Sequence, residues 1–99
     1  MIRQIIFHPA ARADLAEIWS WTVQRWGEAQ AESYLTRLDV ALAQLALAPG
    51  LIRERSEITP PVRIYPFRLH LVIYRTPDQA LLVHRLVHAR SNWQALFAD

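Results

Sequence analysis

Cysteine and lysine are absent from this 99-residue chain, and glycine occurs only twice. Without thiols there can be no disulfide staple, no thiolate zinc site and no cysteine nucleophile. The two glycines, Gly27 and Gly50, stand apart, so there is no glycine-rich loop to cradle a phosphate, which argues against nucleotide-binding folds. All eleven basic residues are arginine, a side chain that grips carboxylate or phosphate bidentately but does not readily serve as a neutral base. The formal net charge of +2 is modest for a protein that must hold many phosphates, and direct nucleic-acid binding is not expected. No serine sits in a Gly-x-Ser-x-Gly elbow. No apolar run approaches the roughly 20 residues of a membrane span, and no basic start leads into an apolar leader, so the expectation is a soluble cytoplasmic protein away from any membrane. His8, His70, His84 and His88 are not arranged as metal ligands on a helix, and neither a metal nor another cofactor is expected.

What the chain does contain is apolar residues, 53% of the total, in patterns that change period along its length. Residues 1–99 suffice for a single domain with one core. An apolar run over 2–7 ends at His8-Pro9, which predicts a short strand leading straight into a helix with Pro9 at its first position. His8 falls at the N-cap, where serine, threonine or aspartate would serve better. Ala11, Leu15, Ile18, Trp19, Thr22 and Trp26 fall on one stripe of that helix. Trp19 and Trp26 read as core, whereas Trp21 lies at the margin of the stripe. After Gly27 a second stripe begins, of Ala31, Tyr34, Leu35, Leu38, Leu42 and Leu45, and Pro49-Gly50 stops it. Two amphipathic helices with almost no linker form an antiparallel pair whose combined apolar stripes need a sheet face to bury. Residues 51–61 read as a solvated loop.

Residues 62–90 organise the rest. A strand from Val62 to Tyr65 comes first, and β-branched and aromatic runs on either side of Thr76-Pro77-Asp78-Gln79 then predict a hairpin. With a four-residue loop, Arg75 lies opposite Ala80. Ile73, Leu71 and Leu69 then share one apolar face with Leu82, His84 and Leu86, the face the helices should cover. The second face, expected to be open, carries Tyr74 with Leu81, Val72 with Val83, His70 with Arg85 and Arg68 with Val87. A tail from Ser91 to Phe97 can make a helical turn or two. The fold class is α+β: an N-terminal strand and an antiparallel helical hairpin packed on a mainly antiparallel C-terminal sheet, in the order β-α-α-β-β-β, with a short C-terminal helix.

The chemistry-bearing residues gather on that second half: Arg63 and Tyr65, Arg68 and His70, Tyr74, Arg85, His88 and Arg90. As a ribonuclease, arginines such as Arg63 and Arg85 would hold a phosphate while His88, Glu57 or a tyrosine moved protons. As a binding surface, the same residues would meet acidic groups of a partner, with arginine and tyrosine as anchors. The residue types favour binding. They also imply a disordered partner segment laid over the open face, because Val72, Leu81 and Val83 would otherwise leave an apolar patch in water.

The order of elements and a series of short matches resemble the ParE branch of the RelE/ParE toxin superfamily of bacterial type II toxin-antitoxin systems. The matching residues are Pro9-Ala-Ala, Asp14-Leu15, Glu17-Ile-Trp19, Trp26-Gly27, Gln30-Ala31-Glu32, Tyr34, Pro49-Gly50, Arg63, His70, Ile73-Tyr74-Arg75, Arg85-Leu-Val-His88 and Arg90. The resemblance implies a toxin that poisons DNA gyrase, aids plasmid stabilisation, and is neutralised within a hetero-oligomer by a ParD-like antitoxin with a DNA-binding domain and a flexible tail. The alternative it implies is a ribosome-dependent messenger RNA endonuclease of the RelE type. That branch commonly relies on lysines, which this chain lacks. Three departures stand out: His8 where the family has serine or threonine, Pro60-Pro61 where a glycine precedes Arg63, and Arg68-Leu69 where small residues precede His70.

Overall fold

The computed structural model describes residues 2 and 4–97. Strand β1 (Gln4–Phe7) runs into α1 (Pro9–Trp26) and α2 (Glu28–Leu47); β2 (Glu54–Arg55), β3 (Val62–Phe67), β4 (His70–Arg75) and β5 (Ala80–His88) follow, and a 3-10 helix, Trp93–Phe97, closes the described chain. The sheet order is β1-β5-β4-β3-β2, with β1 parallel to β5 and the remaining pairs antiparallel. The α+β architecture is therefore the expected one. Arg3, inside the strand anticipated over 2–7, lies outside the described residues. The segment anticipated as pure loop contributes β2 as an edge strand.

His8 caps α1 in spite of its type: its Nδ1 accepts the Ala10 N–H at 3.1 Å, and Pro9 follows at the first helical position. Gly27 joins the helices directly, with φ of 89°, in a region where glycine carries no Cβ penalty. The α2 stripe is buried as anticipated, with Leu38, Leu42 and Leu45 at its centre. The α1 stripe is rotated. Its buried residues are Ala11, Asp14, Ile18 and Thr22, while Trp19 and Trp26, expected in the core, are 37% and 55% exposed. The rotation brings the Asp14 carboxylate onto β5, where it is hydrogen-bonded, and leaves Leu15 half-buried at the margin of the core.

The hairpin differs from expectation in register and in face. The turn is longer than four residues: Asp78 and Gln79 both adopt positive φ, 49° and 64°, and Arg75 pairs with Leu82 rather than Ala80. A bulge at Ile73/Tyr74 then inserts one extra residue on β5, so that Ile73 lies opposite Arg85 and His70 opposite His88. A bulge reverses the face of everything beyond it. Leu86 therefore joins Tyr74, Val72, Leu81 and Val83, and this all but apolar face is the one that packs under α1 and α2 with Leu38, Leu42 and Leu45. The face expected to be open is thus the covered one, and Val72, Leu81 and Val83 have no exposure at all. No apolar sheet patch awaits a partner there.

The opposite face is covered too. Ile58, Val62, Ile64 and Ile73 form a second core with Leu71, Val87, Trp93 and Phe97, so the sheet lies between the helical pair and the C-terminal 3-10 helix. Tyr74, expected as a surface anchor, is fully buried. Among the described residues its hydroxyl has no hydrogen-bond partner, and burial raises its pKa. Removing an unpaired buried hydroxyl relieves its desolvation, so Tyr74→Phe should unfold in urea at the same or a higher midpoint, with a gain of up to about 1 kcal/mol. A lower midpoint would mean that the hydroxyl is bonded.

The turn between β3 and β4 is also unusual. Arg68 has φ of 52°, a left-handed conformation that costs a residue with a Cβ roughly 1–2 kcal/mol. The turn is nevertheless fixed from both sides: the Tyr34 hydroxyl accepts the Leu69 N–H at 3.3 Å, and the Ala89 N–H donates to the Leu69 carbonyl at 2.8 Å.

Candidate functional site

An open groove of about 490 Å³ runs between α1 and the C-terminal segment, floored by the end of β5. Asp14, Glu17, Ile18 and Trp21 line it from the helix, Arg85 to His88 from the strand, and Asn92, Trp93 and Leu96 from the far rim. The strand reaches the groove because β1 pairs only with Ala80–Val83, which leaves α1 to meet the remainder of that edge.

Asp14 anchors the junction. Its Oδ2 accepts from Arg85 Nε at 2.7 Å and from the Leu86 backbone N–H at 2.8 Å, and its Oδ1 accepts from Arg85 Nη2 at 3.0 Å. The carboxylate thus stands in for a neighbouring strand's carbonyl while neutralising the guanidinium, whose pKa rises with the Asp14 bond as the main cause. Arg85 is expected from sequence as a free phosphate or carboxylate ligand, across from His70 on an open face. Here it is opposite Ile73, and its fork is occupied.

His70 is buried beneath the helices, not exposed. Its Nδ1 and the Tyr34 hydroxyl lie 2.7 Å apart. Since that oxygen also accepts the Leu69 N–H, its own proton is best placed on Nδ1, leaving a neutral imidazole with its hydrogen on Nε2. Burial, and next the proximity of His88, hold the His70 pKa below the ordinary histidine range, with Asp14 opposing. The two imidazoles are 5.7 Å apart between ring centroids, and Trp21 stands edge-on to both at 6.5 and 6.4 Å. His88 is exposed, and its Nδ1 accepts the Arg90 N–H at 3.1 Å.

The structure therefore gathers three of the anticipated residues, His70, Arg85 and His88, in one groove and disperses the others. Arg63 is half-buried and donates to the Ile52 carbonyl, holding the 51–61 segment. Tyr65 packs at the margin of the helix-side core. Arg68 and Arg90 are exposed at the β3–β4 turn and beyond β5. Glu57 lines a separate cleft with Arg55, its ion-pair partner, and Thr59. Sequence reasoning missed Asp14, Glu17 and Trp93 as groove residues. Asp14 had left a trace, since a carboxylate three residues after Ala11 and four before Ile18 lies on the buried stripe, where a charge needs a partner. Among the described residues no group of three or more histidines and carboxylates converges as a metal site.

The family described as ParE toxin of type II toxin-antitoxin system, parDE, matches residues 5–93. The chain belongs to the ParE toxin family. It is 37% identical over 91 residues to Toxin ParE1 of Mycobacterium tuberculosis H37Rv, covering 91% of this chain and 93% of that one. To Toxin ParE of Escherichia coli it is 33% identical over 91 residues, covering 90% and 87%. A solved structure titled Chromosomal ParDE TA system from P. aeruginosa superposes with a TM-score of 0.74 at 20% identity, over 89% of this chain and 96% of that one, which shows a common fold.

In this ParE-family toxin two of the groove's candidate catalytic groups are already engaged. His70 holds its Nδ1 on Tyr34, Arg85 is tied to Asp14, and Glu57, one possible acid, lies in another cleft. Of the groove's two imidazoles His88 is the exposed one, and Glu17 is a further titratable group on the same wall as Asp14; general acid–base catalysis needs such groups within hydrogen-bond reach of the same proton. It is furnished as a binding cleft, with the indoles of Trp21 and Trp93 on its walls and, as its floor, the end of β5 that β1 does not reach. Among the described residues no helix is long and apolar enough to cross a membrane.

Proposed function

We propose that this toxin acts in the cytoplasm on DNA gyrase by protein contact, without cutting RNA, and is neutralised by a ParD-like antitoxin bound in a hetero-oligomer. The observation that carries this reading is the bidentate hold of Asp14 on Arg85, which pairs the groove's guanidinium with a carboxylate inside the protein and so disfavours a grip on a scissile phosphate. Gyrase as the target is what the resemblance to the ParE branch implies, and it stands on that likeness alone. The α1–β5 groove, and not a bare sheet face, is the seat proposed for the antitoxin tail, with apolar side chains against Trp21 and Trp93.

Two assays on one preparation test the target. In the first, gyrase supercoiling should fall and cleaved DNA accumulate as toxin is added. In the second, primer extension on ribosome-bound message should show no new stops. Codon-positioned breaks, with supercoiling intact and activity lost in His88→Ala, would replace the proposal with the endonuclease.

A further inference from the structure

At one end of the groove, the last turn of α1, the β3–β4 turn and the segment after β5 come together. The Arg25 guanidinium lies 4.8 Å from the Trp21 ring, and Trp21 meets Trp26 edge-on at 5.3 Å. Trp21 also touches His70, whose neighbour Leu69 is bonded through its carbonyl to the Ala89 N–H, beside Arg90. Arg25, Arg68 and Arg90 are all exposed, and among the described residues none of them is in an ion pair, the pairs being Arg55–Glu57 and Arg85–Asp14. Glu28, the carboxylate that opens α2, forms no ion pair with them among the described residues. Trp26, next to Arg25, and Leu69, next to Arg68, add exposed apolar surface, at 55% and 41%.

Two features make this end more than a scatter of surface arginines. Arg68 occupies a left-handed backbone position, one that a glycine would fill without strain, and such positions persist where the surroundings hold them and cluster at contact sites. Here the turn is held through the next residue, Leu69, whose N–H donates to Tyr34 and whose carbonyl accepts from Ala89, so its backbone loses little freedom on binding. Arginine and tryptophan with an apolar neighbour also form the composition that dominates binding energy at protein interfaces.

We propose that Arg25, Trp26, Arg68, Leu69 and Arg90 form the face with which this toxin engages its target, and that the matching surface is an acidic patch on a folded protein with an apolar recess for Leu69. The partner class follows from charge complementarity: unpaired arginines spaced among apolar side chains match carboxylates set around a recess. This assignment rests on the reading of the chain as a toxin that acts by protein contact, but it does not depend on gyrase being the target.

The test uses the full chain induced in bacterial cells and, purified, a gyrase supercoiling assay. The variants are the triple reversal Arg25→Glu, Arg68→Glu and Arg90→Glu, and the single change Arg68→Gly. The triple variant should need at least about tenfold more inducer to arrest growth, as expected for losing contacts of hot-spot size, while melting within a few degrees of the parent. Arg68→Gly should melt no lower than the parent, because it relieves the left-handed strain, and yet arrest growth less well. A residue with a purely structural role would not separate stability from toxicity in this way. Growth arrest at parental inducer levels by the folded triple variant would overturn the proposal. So would salt-sensitive binding of a single-stranded oligonucleotide by the parent that the reversals abolish, since the occupant would then be nucleic acid. The growth readout judges the face and the supercoiling readout judges the target. Arrest lost in the variants, with parental gyrase untouched, would therefore sustain the face and refute gyrase.

Discussion

Asp14→Ala is expected to lower the unfolding free energy by about 2–4 kcal/mol, the range for breaking a paired, largely buried charge and orphaning a buried N–H. The carboxylate accepts three hydrogen bonds, one of them from the Leu86 backbone, and its side chain is only 9% exposed. Its removal leaves the Leu86 N–H buried without an acceptor and the α1–β5 seam without its polar fastening. Arg85 suffers less, since at 33% side-chain exposure it can turn toward water. The reciprocal change, Arg85→Ala, leaves the Asp14 charge in place with a single N–H donor and should cost about as much. Because both substitutions break the same interaction, the double variant should fall well short of their sum. Urea titrations followed by tryptophan fluorescence would measure all three. Strictly additive losses, or a loss in Asp14→Ala below about 0.5 kcal/mol, the ordinary surface value, would show that the pair does not join helix to strand.

The same pair marks the boundary of what the sequence could reveal. Element order, the helical hairpin at Gly27, the α2 stripe and the shared face of Tyr74, Val72, Leu81 and Val83, though not their cross-strand pairs, were legible, because each rests on local periodicity or on a glycine in a required conformation. Which face the helices cover was not legible. That choice depended on one inserted residue: without the bulge, Arg85 would share the face of Val83, and the face would look too polar to bury. With it, Leu86 takes that place. A bulge leaves no periodic signature when, as in Leu81-Leu-Val-His-Arg-Leu-Val-His88, apolar residues occur at both parities. The misplaced tryptophans on α1 have the same origin. Hydrophobicity alone puts Trp19 and Trp26 inward, whereas the helix is seated with Asp14 on Arg85, a contact 71 residues apart in sequence that no local pattern announces. Of the site, the residue types were legible and their convergence was not.

Acidification should destabilise the fold before its carboxylates begin to titrate. His70 and His84 both have pKa values below the ordinary histidine range, each chiefly through burial. His88 adds to the effect at His70, and Arg75 and His8 add to it at His84. A histidine depressed in the folded state is charged more readily once unfolded, so below about pH 6.5 the unfolded chain binds the extra protons and folding stability falls with pH. Above about pH 7 both imidazoles are neutral in either state and stability is level with respect to them. The steepest slope that two such groups can give is about 2.7 kcal/mol per pH unit, or half that for one. At His70 the neutral ring is also needed as an acceptor, because protonating Nδ1 would break the bond from Tyr34 and place a charge against the Trp21 edge. Urea midpoints measured at about pH 7.5, 6.5 and 5.5, spanning the histidine range, should therefore decline in the parent. In His70→Asn and His84→Asn the decline should be shallower, and it should be nearly abolished when the two are combined. Asparagine in either place costs packing at every pH, so the slope, not the absolute midpoint, decides. A parent whose midpoint rises on acidification, or a double variant that keeps the full slope, would show that these rings are not held neutral by the fold.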